Sequence, residues 1–381
     1  MEDEPGGNQY LWVRWLKRGQ VASFTVFKKH RSFRHQDNFL GRLIWLVVSG
    51  LLGFGVCFSA CSSARSSQQE VVIYTSVDQP YAEPVFSNFQ KQTGISVRAV
   101  YDVEAAKTTG LVNRLMAERD HPQADVFWNN EIIQTIRLKK ADVLDQYFSP
   151  EALRLPVSFS DPEGYWAANT TRARILIINN QRVKDPASIR SIEDLLNLDY
   201  PSSQVGIAYP LFGTTATHAA ALYTVWGHEK GLAFFEELAR RGVQVVDGNS
   251  VVRDMVVGSQ LSFGLTDTDD ACAAVERGGD VTLVLPDQGG MGTLVIPSTV
   301  ALVASAPHPA EAKRLIDYLL TAEVEQILLD AGYSHFPLHS SVKRPLTCPL
   351  PSEIEAMQVD YETVYQNFQI IQTELREVFI R

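Results

Sequence analysis

Cysteine is scarce: only Cys57, Cys61, Cys272 and Cys348 occur in 381 residues, and no pair has the C-x-x-C spacing of a zinc or thioredoxin-type motif. Cys272 and Cys348 are left either as one disulfide or as two buried thiols, since spacing alone does not bring them within bridging distance. Also absent are G-x-S-x-G, H-E-x-x-H, a phosphate-binding loop, a dinucleotide fingerprint and any internal repeat. The common hydrolase, zinc-protease and nucleotide-dependent chemistries therefore have no visible seat. Basic charge is short as well. Eight of the 34 Lys/Arg and four of the 44 Asp/Glu lie at or before Cys61, which leaves the rest of the chain a net charge of −14. Nucleic acid and anionic lipid both demand basic surface, so neither is the main partner.

Residues that are 45% hydrophobic and 20% charged are ordinary for a soluble protein, and this length predicts two to three globular units. The one long apolar run, 43–60, carries no charge and follows a basic region that includes Lys28-Lys29-His30-Arg31 and Arg42. That order reads as an export signal. It ends in Phe58-Ser59-Ala60-Cys61, which resembles the lipobox of bacterial lipoproteins, with Phe58 where an aliphatic residue is usual. The resemblance implies a signal peptide over 1–61, acylation of Cys61, and a flexible tether over 62–70. An uncleaved anchor competes with it, because 18 apolar residues reach spanning length. Either reading places the body outside the cytoplasmic membrane, in the periplasm, and the lipobox reading holds it to a membrane through acylated Cys61.

From Val71 the chain alternates short apolar runs with amphipathic stretches. Val71-Val-Ile-Tyr-Thr75 predicts a strand, the stretch from Tyr81 a helix stopped by Gly94, and 95–100 a second strand. A helix over about 105–119, a strand over 124–128 and a helix over about 131–139 follow. The segment 164–179 is long and rich in β-branched residues, so it is expected to pass from one sheet to another. Ser191-Ile-Glu-Asp194 reads as a capping box. Strands are expected at 204–208, 242–246 and 294–304, each leading towards a helix, and the last helix carries the stripe Tyr361, Val364, Tyr365 and Phe368. Strands alternating with helices mean an α/β fold with largely parallel sheets.

The stretch 260–277 holds the densest chemistry, an apolar run that gives way to Thr266-Asp267-Thr268-Asp269-Asp270 and then to a helix. It reads as strand, loop, helix, with Thr268 as N-cap and Asp269 and Asp270 in the first turn, where acidic side chains meet the positive helix end. A second reading comes from position, because ligands in open α/β sheets bind outside the carboxyl ends of strands. Ser76-Val77-Asp78, Asn129-Asn130-Glu131, Tyr209 with Gly213-Thr214-Thr215, and Asn249 sit at equivalent places.

Val71-Val-Ile-Tyr-Thr-Ser, Phe89-Gln-Lys-Gln-Thr-Gly-Ile-Ser-Val, Ala124-Asp-Val-Phe-Trp, Ala306-Pro-His-Pro-Ala-Glu and Phe336-Pro-Leu occur in register over about 71–340. This resembles the periplasmic substrate-binding proteins of ABC importers, in particular the group with the ferric-ion-binding proteins and their relatives for thiamine, polyamines, phosphonates and sugar phosphates. The resemblance implies a two-lobed periplasmic-binding-protein fold of type II with the ligand cleft between the lobes. It implies lobe I over 71–165 and 293–342, lobe II over 166–292, and a C-terminal helical segment over 343–381 on lobe II. It further implies an anion site at Gly213, Thr214, Thr215 and Asn249. Relatives that bind ferric ion use two adjacent tyrosines, and those positions match Asp269 and Asp270 here.

Two hypotheses follow from that departure. Asp78, Asp269 and Asp270 form a carboxylate site for a transported ferric ion, with Asp267 and Glu131 nearby. Alternatively, Ser76, Asp78, Asn130, Glu131, Tyr209, Asp267, Thr268, Asp269 and Asp270 accept from sugar hydroxyls or an amine while the Thr214–Thr215 helix start takes a phosphate. No cofactor is expected beyond such a bound ion. The mechanism is capture without chemistry by a monomer that delivers ligand to an ABC permease. A tethered sensor and a carboxylate-dependent hydrolase are the alternatives from other classes.

Overall fold

The structure is a computed structural model and describes residues 69–102, 109–333, 336–343, 348–351 and 353–379. The signal segment 1–61, Cys61 itself and all but the end of the tether lie outside the described residues. Strand β1 (Glu70–Thr75) begins at what reads as the last tether residue.

Two sheets share one strand. In the first, β1 runs parallel to β2 (Ser96–Tyr101) and β3 (Val126–Asn129), and β10 (Val295–Val303) pairs antiparallel with β3. Two residues of β4 (Leu144–Asp145) extend it beside β10. In the second, β6 (Val205–Ala208) runs parallel to β7 (Gln244–Val246) and β8 (Phe263–Asp267). The shared strand is β5 (Ala167–Asn179). Its residues up to Ala173 pair with β10, and from Arg174 they pair with β8 and with β9 (Val281–Val284). The long extended segment expected at 164–179 does pass between sheets. Strands β5 and β10 are antiparallel to their neighbours, so the sheets are mixed, not largely parallel.

Helix α1 (Gln79–Thr93) carries Pro80 in its first turn, where no amide partner is lost, and ends on Gly94 at φ 73°, a left-handed cap that suits glycine. Its Val85, Phe86 and Phe89 face β1 and β3 together with α8 (Pro309–Leu319) and α9 (Ala322–Asp330). The other layer of that sheet is α2 (Thr109–Ala117) and α3 (Ile133–Lys140). With helices on both faces, β3 is buried at every residue, as a covered parallel strand must be. Around the second sheet lie α4 (Gly213–Trp226), α5 (His228–Arg241), α6 (Asn249–Val257) and α7 (Thr268–Glu276). Helix α10 (Tyr361–Phe379) lies along α4 and α5 and reaches α3; its Val364, Phe368, Ile371 and Leu375 fill that contact.

The expected Ser191 capping box is present, with Asp194 returning the bond, over a short 3-10 turn. The stretch 260–277 differs from its reading: β8 runs straight into α7 without a loop, and the N-cap is Asp267. Thr268 is the first helical residue and is buried, its Oγ1 accepting from Ala173 N–H at 3.2 Å, so its hydroxyl serves β5 and not the helix end. Cys272 on α7 is joined to Cys348 by a disulfide. Such a bond persists where thiols are not kept reduced, as outside the cytoplasm.

Candidate functional site

The carboxyl ends of β1, β3, β6, β7 and β8 point into one cavity of about 230 Å³. Helices α1, α4, α6 and α7 start there, and none has a side-chain cap: their N-cap residues are Asp78, Phe212, Gly248 and Asp267. First-turn amides left without side-chain partners form a ready anion site, favoured further by the helix dipole. Helix α3 makes the contrast. Glu131 caps it, accepting from Ile133 N–H at 2.6 Å and Gln134 N–H at 2.8 Å.

The floor of the cavity is built around Asp267. Arg174, wholly buried on β5, donates through Nη1 to Asp267 Oδ1 at 2.5 Å, and Arg172 Nη1 reaches Asp267 Oδ2 at 3.3 Å. The Thr214 hydroxyl and Asn249 Nδ2 donate to the same Oδ2 at 2.7 and 3.0 Å. Arg174 also donates to the hydroxyl oxygens of Thr214 and Thr215, both at 3.1 Å, which joins β5, β8, α4 and α6 in one network. Burial alone would raise the Asp267 carboxyl, but Arg174 and Arg172 hold it below the usual carboxylate range. Buried charges persist only when paired in this way.

Two further carboxylates stand above this floor. Arg172 Nη1 donates to Asp269 at 3.2 Å, and its Nη2 donates to the Asn130 carbonyl at 2.6 Å. Arg253 Nη1 donates to Asp270 at 2.8 Å. Burial, then the charges of Asp269 and Asp267, nevertheless push the Asp270 carboxyl up to about 8. Tyr81 lines the same wall, its phenol pushed up to about 12 by burial and by the charges of Asp269, Asp270 and Asp78. Asn130, nine-tenths buried, carries a side-chain oxygen with no donor.

Of the residues expected from sequence, Asp78, Asn130, Tyr209, Gly213, Thr214, Thr215, Asn249, Asp267, Asp269 and Asp270 line the cavity. Ser76, Glu131 and Thr268 do not. Ser76 Oγ donates to Asn129 Oδ1 at 2.7 Å and accepts from Asn130 N–H at 2.9 Å, which ties two strand-end turns together. Glu131 is occupied by the α3 start and by the Thr217 hydroxyl at 3.0 Å, and burial pushes its carboxyl up. Asp78, Asp269 and Asp270 all face the cavity, but among the described residues no three His, Cys, Asp or Glu side chains are gathered as metal ligands. Sequence reasoning missed Arg172, Arg174, Arg253 and Tyr81. The signal for the first two was present: in Thr171-Arg172-Ala173-Arg174 two arginines at i and i+2 share one face of a strand that continues into the apolar run Ile175–Ile178.

Two mixed sheets joined by a shared strand, with uncapped helix starts around a polar cavity between them, define a type II binding protein, which holds a solute between two lobes. The chain belongs to the bacterial extracellular solute-binding protein family, whose pattern it matches over residues 122–367. It is 25% identical over 293 residues to iron uptake protein A1 of Synechocystis sp., covering 72% of this chain and 79% of that one. It is also 25% identical over 293 residues to a putative 2-aminoethylphosphonate-binding periplasmic protein of Salmonella typhimurium, covering 74% and 83%. Among solved structures, the apo ferric ion-binding protein A of Pasteurella haemolytica superposes with a TM-score of 0.73 at 21% identity, over 81% of this chain and 98% of that one. The protein is thus a periplasmic solute-binding component of ABC transport and not an enzyme.

Proposed function

We propose that the chain captures a small phosphorylated or phosphonate solute, its anion on the α4 and α6 starts and its hydroxyl or amino groups facing Asp78, Asp269 and Asp270. The observation that carries this reading is that the uncapped starts of α4 and α6 and the side chains of Asp78, Asp269 and Asp270 line the same cavity. The relative with an aminoethylphosphonate-binding name supports the same chemistry. A transported ferric ion with a companion anion is the second reading, favoured by the likeness to iron uptake and ferric-binding proteins. It would have to draw Asp269 from Arg172 and to displace the proton that the Asp270 carboxyl holds. Breaking a buried ion pair is costly, which ranks it second.

The lobes are assigned as 71–165 with 293–342 and 166–292, with 343–381 on lobe II; the passage of β5, beside β10, from one sheet to the other supports this division. Closure about those strands encloses ligand, and the closed monomer docks on a permease while acylated Cys61 keeps it at the membrane. Calorimetric titration of the chain from Ser62 onward tests the ligand, with 2-aminoethylphosphonate, sugar phosphates and ferric citrate compared. Binding of a phosphoryl or phosphonyl compound that weakens at least tenfold in Asp269→Ala, with no response to iron, supports the first reading. Binding of ferric ion alone overturns it. Labelled palmitate fed to the cells should enter the wild-type protein and not Cys61→Ser; no label in wild type rules out the lipid anchor.

A further inference from the structure

A larger concavity, about 810 Å³, lies where α3, the excursion between β4 and β5, and the start of α10 meet. The excursion is pinned at its neck: Tyr147 N–H donates to the Gly164 carbonyl at 2.8 Å and Asp161 N–H to the Trp166 carbonyl at 2.9 Å. Gly164 sits at φ 81° under the Phe148 ring, which leaves no room for a Cβ. Within ten residues this pinned loop exposes Phe148 (68%), Leu153 (88%) and Val157 (89%). Single exposed apolar residues carry no message, but three within ten residues is a local excess. Val157 also lines the concavity, as does Trp166, whose nine-tenths buried indole N–H has no acceptor. A buried indole normally donates to something.

Charge narrows what would fill this place. Lys139 lies 2.8 Å from both Asp161 and Glu163, and Lys140 lies 2.7 Å from Glu362. With Asp360 beside them, the carboxylates outnumber the lysines. The walls also belong to different parts of the fold: α3 and the excursion adjoin the first sheet, while α10 packs on α4 and α5.

We propose that this concavity and its apolar lip are the docking surface for the permease of the importer, filled by a basic periplasmic segment flanked by apolar residues. A lysine or arginine of that segment meets the surplus carboxylates, and an apolar side chain covers Val157. Because its walls adjoin both sheets, the surface changes shape with the lobes, so the permease reads whether ligand is held. The inference rests on the importer reading of this chain.

The test places a benzoylphenylalanine photocrosslinker at Val157 of the full chain, in cells that also express the importer. Leu198, 85% exposed on another surface, is the control position. The expected result is an adduct identified by mass spectrometry as a permease subunit, at least tenfold stronger than from Leu198. It should fall at least fivefold in Glu163→Lys/Glu362→Lys, with the solute affinity of the purified, folded variant unchanged. An adduct with lipid or with a second copy of the chain, equal yields at both positions, no adduct, or indifference to the charge reversals overturns the proposal. ATPase stimulation of the reconstituted importer by wild-type protein separates the two failures. Stimulation without a Val157 adduct means that this surface is wrong, whereas no stimulation means that the importer reading is wrong.

Discussion

Replacing Arg174 by methionine keeps most of the aliphatic length on β5 but removes a cation from the floor of the cleft. Arg174 is fully buried and donates to Asp267, Thr214, Thr215 and Asn249. Asp267, 2% exposed, would keep only the longer contact to Arg172 as its ion pair. Removing one partner of a buried pair costs about 3–5 kcal/mol, because the other charge stays out of water. For a folded body of this size each kcal/mol moves Tm by about 2 °C, so calorimetry should show a fall of about 6–10 °C. The double variant Asp267→Asn/Arg174→Met should lose clearly less than the sum of the single losses, since asparagine at 267 carries no charge to strand. A fall below about 2 °C in Arg174→Met, or strict additivity in the cycle, would refute the view that this ion pair organises the floor.

The Asp270 carboxyl is pushed up from an ordinary 3.8 to about 8, so between those values the folded protein keeps a proton that the unfolded chain has released. Its contribution to stability therefore falls as pH rises through that window, and subtracting the Tm–pH profile of Asp270→Asn from that of wild type should leave a difference declining from pH 5 to 8; a flat difference would be contrary. Glu131→Ala should lose about 1–2 kcal/mol in urea unfolding through the lost α3 cap while solute affinity stays within twofold; a tenfold weaker affinity would return Glu131 to the ligand site. Cys272→Ser/Cys348→Ser should lower stability by about 2–4 kcal/mol, read by denaturant unfolding under non-reducing conditions, because the bond closes a long loop in the unfolded chain; a loss under 0.5 kcal/mol would contradict this.

Elements with a strong local signature were readable in advance. β1, α1 with its Gly94 stop, the crossing strand and the Ser191 box each depend on periodicity or on a backbone requirement written in a few adjacent residues. Polar residues at strand ends were expected at the cleft from the grammar of the fold and from the family resemblance, and most of them line it. What each side chain does there was not readable, because that depends on partners distant in sequence. Glu131 looks like a ligand until the α3 amides and Thr217 are seen to occupy it, and Asp267 looks open until two arginines from β5 close on it. Those arginines passed unnoticed because a buried charged strand runs against the apolar pattern by which strands are recognised.

Arg172 and Arg174 stand on either side of the point where β5 leaves one sheet for the other. A charged floor mounted there sits at the fulcrum of any rocking between the two halves, where displacement per degree of rotation is smallest. Asp78 and Ser250 line the same cavity from the starts of α1 and α6, away from that crossing. The closure proposed above would leave this base nearly still while the walls travel, so wall residues could be exchanged without touching the crossing. A lineage could change its nutrient by rewriting the walls alone, leaving the axis of motion as it was.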